Sequence, residues 1–216
     1  MSCAGTTELE KSPPPPPRGR ISIAAGWSRS HLSFEGDDAY FDKPSIVLAS
    51  DLYAGKFTIT FGIGGLALGS LVTERERYDV DAGWIGAAGL SWSVLSEDQD
   101  LPYVVLSALL GATRASVRSQ TIDGPAGLGS YLGLDFRFGA TVGKTFFGWL
   151  SPYASARVFG GPVIWSQGEA SKLGSDRFHV QGAVGAVFIL PEHLDLFIEG
   201  SPGGEQGGFG GIGWRY

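Results

Sequence analysis

The sequence predicts an all-β protein. The expected architecture is an antiparallel up-and-down transmembrane β-barrel of ten strands, or eight, at residues 18–216. A disordered proline-rich tail at residues 1–17 precedes it. Three observations carry this. The apolar residues of the body recur with a period of two rather than 3.6, which is the signature of strands. The two faces of these runs differ: one is Leu, Val, Phe and Trp, the other Gly, Ser and Thr with a few charges. Finally, the chain ends "GGFGGIGWRY", with Ile212, Trp214 and Tyr216 alternating against Gly211, Gly213 and Arg215. Soluble domains usually let their ends fray; this alternation makes the end part of the structure.

The tail is "MSCAGTTELEKSPPPPPRGR". Pro13 to Pro17 favour an extended polyproline spacer. "Met1-Ser2-Cys3" resembles the last three positions of a bacterial lipobox, with the signal removed. The resemblance makes Cys3 a candidate lipidation site, and the tail a lipoprotein tether. A free cysteine near a disordered end is the simpler alternative.

From Arg18 the chain reads as ten runs: 18–34, 45–53, 57–69, 80–95, 101–119, 130–142, 150–165, 177–190, 194–200 and the terminal stretch. Short turns such as "AGK" and "PEH" alternate with longer polar stretches such as "EGDDAYFDKP", "LVTERERYD" and "SPGGEQG". This asymmetry fits a membrane barrel with long outer loops and short periplasmic turns. An even strand count puts both chain ends on the periplasmic side. Glycine, at 34 residues, is too frequent for helices. No run of eighteen apolar residues is present, so no helix spans a membrane.

A soluble barrel buries its apolar face; a membrane barrel turns it outward. The Gly, Ser and Thr face suits a crowded interior, and the nearly uncharged Leu and Phe face suits lipid. In the fourth run Val80, Ala82, Trp84, Ala88, Leu90 and Trp92 are expected on the lipid side, with Asp81 and Ile85 opposite. Trp84 and Trp92 lie eight residues apart on one face. With a rise of about 3.3 Å per residue and a tilt of roughly 40°, that is about 20 Å along the membrane normal, close to the height of an apolar band. Trp27 and Trp165 are placed at the outer rim, and Trp149, Trp214 and Tyr216 at the periplasmic rim. Together with Trp84 and Trp92 they form the expected aromatic girdle. A soluble barrel or sandwich would need the Leu and Phe face inward and would leave these belts accidental.

The terminal "GGIGWRY" resembles the C-terminal signal of bacterial outer-membrane proteins, with tyrosine where phenylalanine is usual. The pattern over residues 18–216 is similar to small outer-membrane barrels of the OmpA or OmpX kind. That resemblance implies a place in the cell outer membrane of a Gram-negative bacterium. It implies contact with outer-membrane lipids and lipopolysaccharide, and recognition of the last strand by the outer-membrane assembly machinery.

Parity sends one set of charges inward: Asp51, Asp81, Asp135, Arg137, Arg157, Asp195, Glu199 and Arg215. An isolated buried charge is very costly, so these must pair or meet water. A structural salt-bridge network filling the lumen is the plain reading, and gives the protein a structural or interaction role. A narrow pore with charge-tuned selectivity is the alternative. A lipid A-modifying enzyme is the third reading. "His31-Leu32-Ser33" with Glu35 has the spacing of the His-x-Ser pair and carboxylate of the lipid A deacylases, but the surrounding pattern of that family is absent. No omptin-like acid and histidine constellation is present. The net charge of −6, without a basic run, speaks against nucleic acid. One cysteine and three dispersed histidines offer no metal motif, and no cofactor is expected.

Overall fold

A computed structural model of the chain describes residues 17–34, 37–73, 76–98, 100–119, 128–167 and 170–216. Cys3 and the proline run up to Pro16 lie outside the described residues. Twelve strands are present: β1 (Gly19–Phe34), β2 (Asp37–Ala54), β3 (Phe57–Thr73), β4 (Arg77–Leu95), β5 (Tyr103–Ser119), β6 (Leu128–Gly143), β7 (Leu150–Gly160), β8 (Pro162–Gln167), β9 (Ala170–Asp176), β10 (Val180–Ile189), β11 (Leu194–Gly203) and β12 (Gln206–Arg215). All pairings are antiparallel, and no helix occurs among the described residues.

The ladder runs from β1 through β7, continues through β10, β11 and β12, and returns to β1. The return register sets Arg20 opposite Arg215 and Arg29 opposite Gln206. The last residue is tied in: the Arg18 N–H donates to the Tyr216 carbonyl at 2.6 Å, and the Tyr216 N–H to the Gly19 carbonyl at 3.0 Å. A terminus held this way cannot fray without opening the ring.

The count of twelve corrects the expected ten. The expected run 150–165 breaks at Gly160–Gly161 into β7 and β8, and the expected loop 166–176 contains β9. β12 follows β1 only as far as Arg29, so the end of β1 is left unpaired on that side. β9 takes it, setting Asp176 opposite Leu32 and Gly174 opposite Phe34, while β8 pairs with β6 at Gly129–Gly133. The sheet therefore has two tiers. Ten strands close the lower ring; β1–β6, β8 and β9 close an upper ring of eight, which passes over the tip of the β11–β12 hairpin.

The other polar stretches are also largely strand. Residues 37–44 belong to β2 because they alternate: Ala39 and Phe41 are fully buried, and Tyr40 between them is exposed. This upper tier is a collar. From Trp27 to Phe34 is seven residues of β1, which at about 3.3 Å each and a tilt of roughly 40° raises it about 18 Å above the aromatic girdle.

Two bulges set side-chain direction. Between Asp42 and Ser45 of β2, β3 carries one extra residue, with Leu68 at a φ of 53° and 89% exposed. Pro44 sits at this interruption, where a missing N–H costs no ladder bond. In β4, Asp81 and Ala82 together oppose Ser116. The extra residue switches parity, so Val80 is buried while Trp84 is exposed.

Below the collar the outer wall is apolar: Ile23, Ile46, Leu48, Phe61, Ile63, Leu90, Phe136, Phe138, Val184 and Ile198 are all exposed. A contiguous surface of this kind belongs in a bilayer. Ile63, 66% exposed on β3, tests the orientation. Ile63→Arg is expected to cost about 2–4 kcal/mol by equilibrium unfolding from lipid vesicles, as for a charge near the bilayer midplane. An unchanged midpoint would place this face in water.

Candidate functional site

The inward face changes chemistry with height. On β1 the inward residues run from Ser22 and Ser30 to Leu32 and Phe34, all buried. In the collar, Leu32, Phe34, Phe41, Leu71, Tyr78, Val80, Val117, Tyr131, Val163 and Trp165 form one buried apolar cluster. Trp165 packs edge-on to Phe34 at 5.6 Å and to Tyr78 at 4.8 Å between ring centroids, and Phe41 meets Tyr131 at 4.4 Å. The outer end of the ring is thus filled by a core of the soluble type.

Beneath it lies a charged layer centred on Glu205, at the tip of the β11–β12 hairpin. Gly204, at a φ of 78°, turns that tip inward; a Cβ there would stand 2.1 Å from the Val180 carbonyl oxygen. The Glu205 carboxylate accepts from Lys43 Nζ at 2.8 Å and from Ser30 Oγ at 2.9 Å, and pairs with Arg137 at 2.6 Å. Arg137 also holds Asp135 at 2.5 Å. The Glu205 backbone carbonyl accepts from Gln181 Nε2 and Ser201 Oγ. Burial alone would raise the Glu205 carboxyl, but Lys43 and Arg137 outweigh it and hold it well below the usual carboxylate range.

The expected lumen charges divide as follows. Asp51, Asp195 and Glu199 are buried. Asp51 pairs with Arg20 at 2.8 Å and accepts from Thr60 at 2.7 Å. Glu199 pairs with Arg157 at 2.7 Å and accepts from Tyr153 at 2.9 Å. Arg215 pairs with Asp195 at 3.2 Å, across the β11–β12 hairpin. Asp135 and Arg137 belong to the Glu205 layer. Asp81 does not lie in the lumen: the β4 bulge turns it outward, where it meets Arg118 at 2.9 Å. Sequence reasoning missed Arg20, Lys43, Gln181 and Glu205. Arg20 shares parity with Ser22, so alternation alone could have found it. Glu205 sits in a glycine-rich turn, where no period fixes direction.

Among the expected girdle residues, Trp27, Trp84, Trp92, Trp149, Trp214 and Tyr216 are exposed, and Trp165 is 7% exposed inside the collar. Trp165 shares parity with the inward Arg157, and the strand keeps that parity across the Gly160–Gly161 break. It lies in the collar, above the expected girdle and on the inner side of the wall.

Between the collar core and the lower ion pairs lies a cavity of about 540 Å³. Small and apolar residues such as Ala24, Val47, Ile85 and Leu109 form much of its wall, with Lys43, Asp135, Arg137, Arg157, Asp176, Glu199 and Glu205. Asp135, Glu199 and Glu205 are taken up by the ion pairs just described; Asp176 is not. Burial in the collar pushes the Asp176 carboxyl up to about 6, Lys43 working against the shift. Two buried acceptors of this wall, Gln181 Oε1 and Asp135 Oδ1, lack a hydrogen-bond partner, each at a cost of about 1–3 kcal/mol if left dry.

His31 and Ser33 lie on the outer side of β1, away from the lumen. His31 stacks on Tyr40 at 4.4 Å between centroids, contacts Phe178, and stands 3.4 Å from Asp38. Glu35 lies outside the described residues. No group of metal-ligating side chains occurs among the described residues.

No protein-family model matches the sequence, and no curated protein does. Solved structures do match. The outer membrane protease OmpT from Escherichia coli aligns with a TM-score of 0.60 over 98% of this chain and 100% of its own, at 12% identity. The fold is thus similar to that of outer-membrane β-barrels. The translocator domain of the autotransporter NalP from Neisseria meningitidis aligns with a TM-score of 0.53 over 96% of this chain and 91% of its own, also at 12% identity. Identities this low speak to the barrel fold, and the chemistry must be read from the barrel's own residues.

Proposed function

We propose that this protein is an integral outer-membrane barrel whose lumen is plugged, with a structural or interaction role at the membrane surface. The observation that carries this is the buried apolar cluster of the collar, lying directly over the Glu205 layer. An ion entering from outside would meet Leu32, Phe34, Phe41 and Trp165, and then three charges already paired with one another. The collar's outer wall offers a surface for contact. It carries the ion pairs Arg29–Asp42 and Arg177–Asp38, beside the His31, Tyr40 and Phe178 rings. The apolar band below it meets the lipid, and the last strand is the part an assembly machinery would read. Lipidation at Cys3 would add an anchor at the periplasmic end. The outward direction of His31 and Ser33 gives the lipid A-modifying reading no converging site within the barrel.

Planar-bilayer recording tests the plug. The reconstituted protein is expected to give no regular conductance steps in 1 M KCl. Uniform, voltage-stable steps that scale with the amount of protein would establish the pore reading instead.

A further inference from the structure

We propose that the lumenal cavity is a binding site for a small organic cation, an amine carrying an apolar body. The cavity of about 540 Å³ lies within the roughly 300–1,000 Å³ typical of small-molecule sites. Its wall has two parts. Val47, Ile85, Leu109 and Val163 offer apolar surface to a ligand body. The polar part, around Asp135, Asp176, Gln181 and Glu205, has four carboxylates against three cations when Glu199, Lys43, Arg137 and Arg157 are included.

The surplus charge is Asp176. Ion pairs account for the other three carboxylates: Glu205 by Lys43 and Arg137, Asp135 by Arg137, and Glu199 by Arg157. Gln181 supplies the independent sign of a ligand. It is only 6% exposed, its Nε2 is committed to the Glu205 carbonyl, and its Oε1 has no partner. Asp135 Oδ1 is in the same condition. The unpaired buried atoms in this wall are thus acceptors, and the half-buried Asp176 carboxylate stands beside them. A protonated amine supplies donors and one positive charge together; an acid or a sugar phosphate would add to the surplus. The collar core covers the cavity on the outer side. The site is compatible with a plugged barrel and does not depend on the barrel's role.

The probe is cyclohexylamine at pH 7.5, titrated into the full-length folded barrel in detergent and followed by calorimetry. Cyclohexanol and cyclohexanecarboxylate serve as neutral and anionic partners of the same shape. The amine is expected to bind saturably at one site per chain, and the two controls to bind at least about tenfold more weakly. Asp176→Asn should weaken amine binding by about tenfold or more. The variant is expected to fold. Its carboxyl is raised from 3.8 to about 6, so the ionised form opposes folding and that opposition grows as pH rises towards 6. Removing the charge should therefore raise the unfolding temperature at pH 7.5. Equal binding of amine and alcohol would overturn the proposal in favour of a merely apolar cavity. An unchanged affinity in folded Asp176→Asn, or no amine binding at all, would overturn it outright.

Discussion

Glu205→Ala is expected to destabilise the folded barrel by about 3–5 kcal/mol, the range for removing one partner from a buried ion pair. The reason lies in what stays behind. Lys43 Nζ and Arg137 both reach the Glu205 carboxylate, at 2.8 and 2.6 Å, and Ser30 donates to it at 2.9 Å. The truncation leaves a lysine without its carboxylate, and leaves Arg137 with Asp135 alone. Glu205→Gln keeps the shape and the Ser30 contact but loses the charge, and should fall between wild type and alanine. Urea unfolding in detergent micelles, read by the heat-dependent mobility shift on gels, measures this. A double variant, Glu205→Ala with Lys43→Met, should recover part of the loss, because the lysine is then not stranded and Arg137 keeps Asp135. A wild-type midpoint for Glu205→Ala would mean that water, rather than Glu205, carries the cations.

The pH dependence of this layer follows from the sign of the shift. The Glu205 carboxyl is held below its ordinary range, so its stabilising share is present at neutral pH. That share is lost only as pH falls below the ordinary carboxylate range towards the depressed value. Asp176 acts oppositely: its carboxyl is raised to about 6, so its favourable share is fully present below about pH 4 and lost as pH rises through 6. The two act in adjoining windows, Asp176 between about pH 4 and 6 and Glu205 below it. Asp176→Asn should therefore remove the loss of stability between pH 4 and 6 and leave the acid branch of Glu205 unchanged.

The membrane-facing half of the fold is legible in the sequence because alternation and apolarity coincide there. On β3, Phe57, Ile59, Phe61 and Ile63 face outward against Thr58, Thr60, Gly62 and Gly64. The collar is hidden because the signal inverts. In "DDAYFDKP" the inward residues are Ala39 and Phe41, while the outward ones include Asp38 and Asp42. Read as a membrane barrel, such a stretch has too many charges for a strand and resembles a loop. Read as a soluble barrel, it alternates properly. Both rules hold in this molecule, each at its own height: lipid sets the pattern below Trp27, and water sets it above. Single-residue events account for the remaining misplacements. The bulge at Asp81–Ala82 moves one carboxylate from lumen to surface. The inward turn at Gly204 puts an unpredicted carboxylate at the centre of the lumen. A periodicity argument cannot see either, because each depends on backbone geometry at one residue.

Trp165→Ala should cost about 3–5 kcal/mol, as for a large aromatic removed from a packed core, whereas Trp84→Ala should cost far less. The sequence assigns both tryptophans to the girdle, but they differ in height and in side. Trp165 is enclosed by Phe34 and Tyr78, with Lys172 Nζ 6.0 Å from its ring centroid. Trp84 is 47% exposed on the outer wall, so its loss leaves no void. The loss at Trp165 is local to the upper tier, where β8 and β9 reach the rest of the ring only through the short ladders with β6 and β1. The collar of Trp165→Ala should therefore open before the barrel does. Added protease should cut within residues 162–176 in outer-membrane vesicles, while the lower ring keeps its heat-dependent mobility shift. Trp165→Phe, which keeps an aromatic edge against Phe34, should be cut more slowly. Equal effects at Trp84 and Trp165 would return Trp165 to the girdle and leave the outer end of the lumen without its plug.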